Sequence, residues 1–211
     1  LLVIVIGGHY PVTMEDWFLL FRHSKVLALL YLNAPDTVSI AILGLMFLAL
    51  YLALRRANPS WMAVAAFFAF LGVAVFVTTR AVMVSAMLSL SDQYAVAATE
   101  ARRAQLLVAA DAITSPARAT PETAGFFFLA VGGTMISLVN LRSGTLGRAA
   151  SYIGIGAGVV TVANDLSVII APAIASVLMP LNMLLWPMWW ILVSRGLFRL
   201  ARGTSETASS R

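Results

Sequence analysis

The sequence predicts an all-α, polytopic transmembrane helical bundle of about six spans, the first of them truncated, with an amphipathic helical segment outside the membrane. Three observations predict it. Apolar residues make up 61% of the 211 residues, charged residues only 11%, and mean hydropathy is +0.91; a soluble domain with a water-facing surface does not sustain that balance. The apolar residues fall in runs of roughly 20, the length a helix needs to cross about 30 Å of hydrocarbon. The basic residues gather at the ends of those runs. Such a chain has room for about five or six spans and little else, so residues 1–203 are read as one transmembrane domain and 204–211 as a polar, disordered cytoplasmic tail.

The elements follow in order. Leu1 to Ile6 reads as the last turns of a helix that begins upstream, giving a partial first span over 1–7, and Gly7-Gly8-His9-Tyr10-Pro11 reads as its stop rather than as a signal-peptide cleavage site. Thr13 suits the cap of a short helix from Met14 to His23, whose Trp17, Phe18 and Phe21 beside Glu15, Asp16 and Arg22 make it interfacial. The second span covers 26–54 and ends at Arg55 and Arg56, with Pro35 setting its first part off as a separate or kinked turn. Asn58-Pro59-Ser60 connects tightly to a third span over 61–80, which meets Arg80 and continues apolar to Leu90, beyond the bilayer.

From 91 to 113 the chain turns polar and alanine-rich. Ser91 is its expected cap, Glu100 and Arg103 are spaced i,i+3, and Val96, Leu106, Leu107 and Ala110 give an apolar edge; this is read as an outer helix lying over the bundle. A loop from Thr114 to Pro121 leads to the fourth span at 124–141, with Glu122 suited to the positive end of its dipole. Gly144 and Gly147 mark a short turn before the fifth span at 149–170, and a sixth at 177–200 carries Pro180 and Pro187 as bends.

Orientation follows from the positive-inside rule. Arg55, Arg56, Arg142, Arg148, Arg195, Arg199 and Arg202 fall on one side, which has no acidic residue until Glu206, and that side is expected to be cytoplasmic, with both termini. The segments 9–25 and 91–122 carry mixed charge and are expected on the outer face.

Charges inside spans are the informative residues, because an unpaired charge in hydrocarbon costs several kcal/mol and marks a partner or a polar cavity. Asp36, Arg80 and Asp165 all lie roughly 25–30 Å from the arginine-rich ends, counting about 1.5 Å per residue. Asn33, Thr78, Thr79, Asn164 and Asn182 fall near that level. The expectation is that Arg80 pairs with Asp165 or Asp36 and that Asp36, Arg80, Asp165, Asn33, Asn164 and Asn182 form a ligand-binding pocket in the outer third. The plainer alternative is a structural ion pair, or charges resting in the headgroup region.

Other features are read as structural. Gly132-Gly133 and the run Gly154-Ile-Gly156-Ala-Gly158 permit close helix contact, and lack the lysine and aqueous turn of a phosphate loop. Trp186, Trp189 and Trp190 suit lipid or interhelical packing. His9 and His23 are the only imidazoles, both outside the spans, and there is no cysteine, so no metal site, haem or other cofactor is predicted. The net charge of +5 does not indicate nucleic acid, because the basic residues sit at helix ends. No nucleophile–base or paired-carboxylate spacing is present, and the reading leans away from an enzyme.

The segment from Leu90 to Asp111, Leu-Ser-Asp-Gln-Tyr-Ala-Val-Ala-Ala-Thr-Glu-Ala-Arg-Arg-Ala-Gln-Leu-Leu-Val-Ala-Ala-Asp, resembles the bacterial membrane family known as domain of unknown function 4386. Tyr51-Leu-Ala-Leu-Arg55 and Ile136-Ser-Leu-Val-Asn-Leu-Arg142, each ending a span, are similar in order. The resemblance implies six spans in a bacterial cytoplasmic membrane and carries over no catalytic residue. Three functions remain open: binding or passing a small or lipid-like molecule through the outer polar pocket; serving as an accessory or scaffold subunit of a larger membrane assembly; or acting on lipid, with Glu100, Arg102 and Arg103 near the headgroups. The expected partners are membrane lipids and other membrane subunits.

Overall fold

A computed structural model describes residues 11–32, 34–114 and 120–209. Every regular element among them is helical: α1 (Met14–His23), α2 (Lys25–Tyr31), α3 (Ala34–Leu54), α4 (Pro59–Val96), α5 (Glu100–Thr114), α6 (Thr120–Ser143), α7 (Arg148–Ile170) and α8 (Pro172–Ser209). Among the described residues, five helices are long and apolar enough to cross a membrane: α3, α4, α6, α7 and α8. The expected partial span at 1–7 and the candidate Asn33 lie outside the described residues. The chain divides into two compact units, one formed by Leu1–Ala41 with Val75–Glu122 and the other by Ile42–Ala74 with Thr123–Arg211.

The first unit is assembled around α1. Thr13 closes a capping box with Asp16, whose backbone N–H donates to the threonine hydroxyl at 3.1 Å while its carboxylate accepts from Thr13 N–H at 2.9 Å. Ser24 then ends α1 and starts α2, its N–H donating to Leu20 O and its hydroxyl accepting from Leu27 N–H. The apolar stripe of α1, Trp17, Phe18 and Phe21, is buried with Tyr31, Leu32, Met87, Leu106 and Ala110 in a core that joins α1, α2, the end of α4 and α5. Around it lie polar ties: Lys25 to Asp92 at 2.8 Å, Tyr94 hydroxyl to Glu15 at 3.4 Å, and Phe18 against Tyr94 with ring centroids 4.9 Å apart. Exposed ion pairs of the Lys25–Asp92 kind contribute under about 1 kcal/mol, so the apolar stripe holds this unit.

The second unit is organised by small residues on α6. A Cβ on Gly132 would stand 2.8 Å from Ala69 N and 2.9 Å from Ala65 O, and one on Gly72 would stand 2.7 Å from Gly125 O, so α4 and α6 touch backbone to backbone. On another face, Ser137 and Thr134 of α6 fill the space over Gly154 and Gly158 of α7, a Gly-x-x-x-Gly seam. Gly133 faces the indole of Trp186 on α8. Trp189 is 1% exposed and joins Phe47, Leu50, Met62, Ile136 and Val193 in the unit's core. The expected packing role of the glycines is therefore met at Gly132, Gly133, Gly154 and Gly158, whereas Gly156 has open space where its side chain would be. Trp186 and Trp189 pack between helices.

Asn140, 2% exposed, fixes the α6–α7 turn. Its amide donates to Gly147 O at 3.1 Å and to the Ser151 hydroxyl at 2.8 Å, and its Oδ1 accepts from Leu146 N–H at 2.8 Å. Gly144 and Gly147 take φ of +68° and +91°, which only glycine adopts without strain, so the turn can close in four residues between α6 and α7.

Three boundaries differ from expectation. Ser91 does not cap an outer helix over 91–113: its hydroxyl donates back to Leu88 O at 3.1 Å, and α4 runs on to Val96. The break falls at 97–99, and α5 starts at Glu100, with the Thr99 hydroxyl accepting from Arg102 N–H at 3.3 Å. The second span begins at Ala34, with α2 as a separate helix before it. The stretch 204–209, expected as disordered tail, continues α8 to Ser209, although Gly203 and the Thr and Ser residues after it are weak helix formers.

Candidate functional site

The polar residues of α7 and α8 come together around one hydroxyl. Thr161, 2% exposed, lies 2.9 Å from Ala157 O and 2.8 Å from the Asn182 side-chain amide, and it accepts from the Trp186 indole N–H at 2.9 Å. A hydroxyl has one proton and two lone pairs. All three contacts are satisfied at once when Thr161 donates to Ala157 O and the Asn182 amide presents its NH2 group to the hydroxyl, an orientation set by the network. Asn182 is therefore joined to α7 through Thr161, a residue that charge-based reading of the sequence passes over.

One turn further along α7 lie Asn164 and Asp165. Asp165 stands about 26 Å from Arg148 along the helix, in the last third of the span. Asn164 Oδ1 and Asp165 Oδ2 are both buried from solvent and bond to no other described residue, while the Asn164 side chain lies within hydrogen-bonding reach of the Asp165 carboxyl. A buried oxygen left unsatisfied costs about 1–3 kcal/mol, so such a pair calls for a donor. An apolar groove of about 450 Å³ runs along α6 and α7, lined chiefly by Val131, Met135, Val159, Val162 and Leu166, with Gly158 and Thr134 also on its wall; neither Asn164 nor Asp165 lines it.

The remaining expected site residues belong to the first unit. Asp36 is exposed in the first turn of α3, where a carboxylate suits the positive end of the helix dipole. Arg80 lies in α4 with its guanidinium 5.5 Å from the centroid of the buried Phe76 ring. The structure thus brings Asn164, Asp165 and Asn182 together in one unit and places Asp36 and Arg80 in the other.

The charges of α5 tie it to the end of α4. Arg103 pairs with Glu100 at 3.0 Å and lies 6.0 Å from the Tyr94 ring centroid, while Arg102 donates to Gln93 at 3.0 Å. Each of these charges has a partner within its own unit. Among the described residues no three His, Asp or Glu side chains gather as a metal site.

Five apolar helices and an all-helical architecture define the chain as a polytopic helical membrane protein. The model of one family, domain of unknown function (DUF4386), matches residues 19–193, and the chain belongs to that family. Neither a curated protein nor a solved structure matches it.

Proposed function

We propose that this protein is a non-enzymatic, multi-pass protein of a bacterial cytoplasmic membrane that holds a small or lipid-like molecule through the outer end of α7. The arginine-rich connections face the cytoplasm, together with both termini, and the mixed-charge helices α1 and α5 face outward. The length of α4 supports this arrangement: 38 residues span about 57 Å, nearly twice the hydrocarbon thickness.

The observation that carries the ligand reading is the pair of unsatisfied oxygens, Asn164 Oδ1 and Asp165 Oδ2. They ask for a donor-bearing group, a hydroxyl or ammonium, and the groove between the same α7 and α6 suits hydrocarbon. Native mass spectrometry of the gently extracted protein tests this. The wild type should carry a bound small molecule or lipid, and Asp165→Leu should lose at least about 90% of it, equivalent to a tenfold weaker affinity. Wild-type and Asp165→Leu proteins with the same bound mass would refute the reading.

A second reading, an accessory subunit, draws on α8, whose apolar window is only 11% buried against 50% for α6. The same spectrum decides it, because a stoichiometric second chain on the extracted protein replaces the small-molecule reading with the subunit one.

A further inference from the structure

The arginine-rich end of the second unit carries a cleft independent of Asn164 and Asp165. The α3–α4 connection brings Ala57 and Asn58 to the same cleft as Arg142 and Ser143 at the end of α6, and Leu146 of the α6–α7 connection packs on Gly196 of α8. Between the start of α4 and the end of α6 is an opening of about 370 Å³ lined by Ala57, Asn58, Trp61, Leu138, Val139, Arg142 and Ser143. That volume falls in the range of small-ligand sites, about 300–1,000 Å³.

Its walls are divided by chemistry. Trp61 is 50% exposed and Leu138 is 42% exposed, and they form an apolar side toward the spans. At the helix ends lie Arg142, Ser143 and Asn58. The Asn58 Oδ1 accepts from Trp61 N–H at 3.1 Å, which fixes the amide and leaves its NH2 group as a donor. Arg142 makes no ion pair among the described residues. A guanidinium is a planar fork of donors matched to a phosphate.

Charge points the same way. Arg55, Arg56, Arg142, Arg148, Arg195 and Arg199 are exposed at this end. No aspartate or glutamate lies in 42–74 or 123–164, and along α8 the first acid at this end is Glu206, beyond Arg195, Arg199 and Arg202.

We infer that this cleft binds the phosphodiester headgroup of an anionic phospholipid, with Arg142 and the Asn58 amide on the phosphate and with Trp61 and Leu138 against the first part of the acyl chains. A mobile counter-ion for the end of α6 would need only Arg142 near the helix terminus. The apolar wall of Trp61 and the paired donor of Asn58 would be idle in that role.

The full chain, extracted in a neutral detergent, is titrated with phosphatidylglycerol, with phosphatidylcholine and with glycerol phosphate, and the bound masses are read by native mass spectrometry. Phosphatidylglycerol should bind at least about fivefold more tightly than phosphatidylcholine, and Arg142→Gln should abolish that preference. Arg195→Gln, which removes the same charge outside the cleft, should keep the preference within about twofold. Equal losses in the two variants would reduce the effect to general surface charge and overturn the site. So would an unchanged preference in Arg142→Gln. If glycerol phosphate binds as tightly as the lipid and displaces it, the site takes a soluble phosphate ester, and the membrane source is refuted.

Discussion

Gly154→Leu should lose the native bundle, or retain it with a stability loss at or above the upper end of the roughly 1–3 kcal/mol typical of overpacking. A side chain at Gly154 would run into the Ser137 hydroxyl of α6 and the indole of Trp189 on α8. Neither can yield locally, because Ser137 is 1% exposed and donates to Gly133 O at 2.8 Å, while Trp189 is wedged into the core against Phe47 and Trp186. Gly156→Leu two residues away is the control: it makes the same chemical change in the same helix, but toward open space, and should be neutral within about 1 kcal/mol. Thermal unfolding of both variants in detergent, followed by the fraction remaining monodisperse, reads the difference directly. Equal stability of the two would mean that the Gly154–Gly158 seam does not set the α6–α7 contact.

Asn140→Leu is the second large effect, expected to cost about 3 kcal/mol in the same melting assay. The substitution is close in volume but strips the Ser151 hydroxyl and Gly147 O of their donor and Leu146 N–H of its acceptor. Each polar group left buried and unsatisfied costs about 1–3 kcal/mol, and partial entry of water at this turn moderates the total. Ser143→Ala, which removes only exposed hydrogen bonds to Thr145 and a long one to Asn140 O in the same turn, should cost clearly less, about 0.5–1 kcal/mol. A wild-type melting curve for Asn140→Leu would show that the turn is held by its glycines alone.

The spans were readable because hydrocarbon thickness sets a minimum apolar run, and no soluble alternative exists for runs such as Val38 to Leu54 or Trp61 to Val77. Helix ends were less readable where two residues offered similar caps. Ser91 and Thr99 both have capping side chains, and only the packing of Met87 and Tyr94 into the first unit's core favours continuing α4 past Ser91. A hydroxyl can satisfy itself on the preceding turn, and that possibility does not show in the sequence.

The candidate site was readable in depth but not in direction. Counting at 1.5 Å per residue put Asp36, Arg80 and Asp165 on one level, yet a rise per residue says nothing of which face a side chain takes or which unit it joins. Asn182 falls at that level, whereas Thr161, its partner, stands only about 20 Å from Arg148 along α7 and Asn140 sits in the last turn of α6, so depth singles out neither. The spacing of Asn140 four residues before Gly144 was the one available hint, since a polar side chain just ahead of a glycine turn can satisfy the turn's backbone. The Gly-x-x-x-Gly spacing of Gly154 and Gly158, by contrast, named a contact face outright, and the structure fills it with Thr134 and Ser137.

The proposed orientation puts α5 outside and the arginine-rich connection after α3 in the cytoplasm. The chain has no cysteine, so one introduced thiol reports one position. Asp111→Cys on α5 and Arg56→Cys after α3, both at exposed positions, are expressed in cells whose inner membrane is intact and exposed to a membrane-impermeant maleimide. Asp111→Cys should be modified in intact cells, and Arg56→Cys only after the membrane is permeabilised. Modification at 56 in intact cells, or protection at 111, would contradict that orientation.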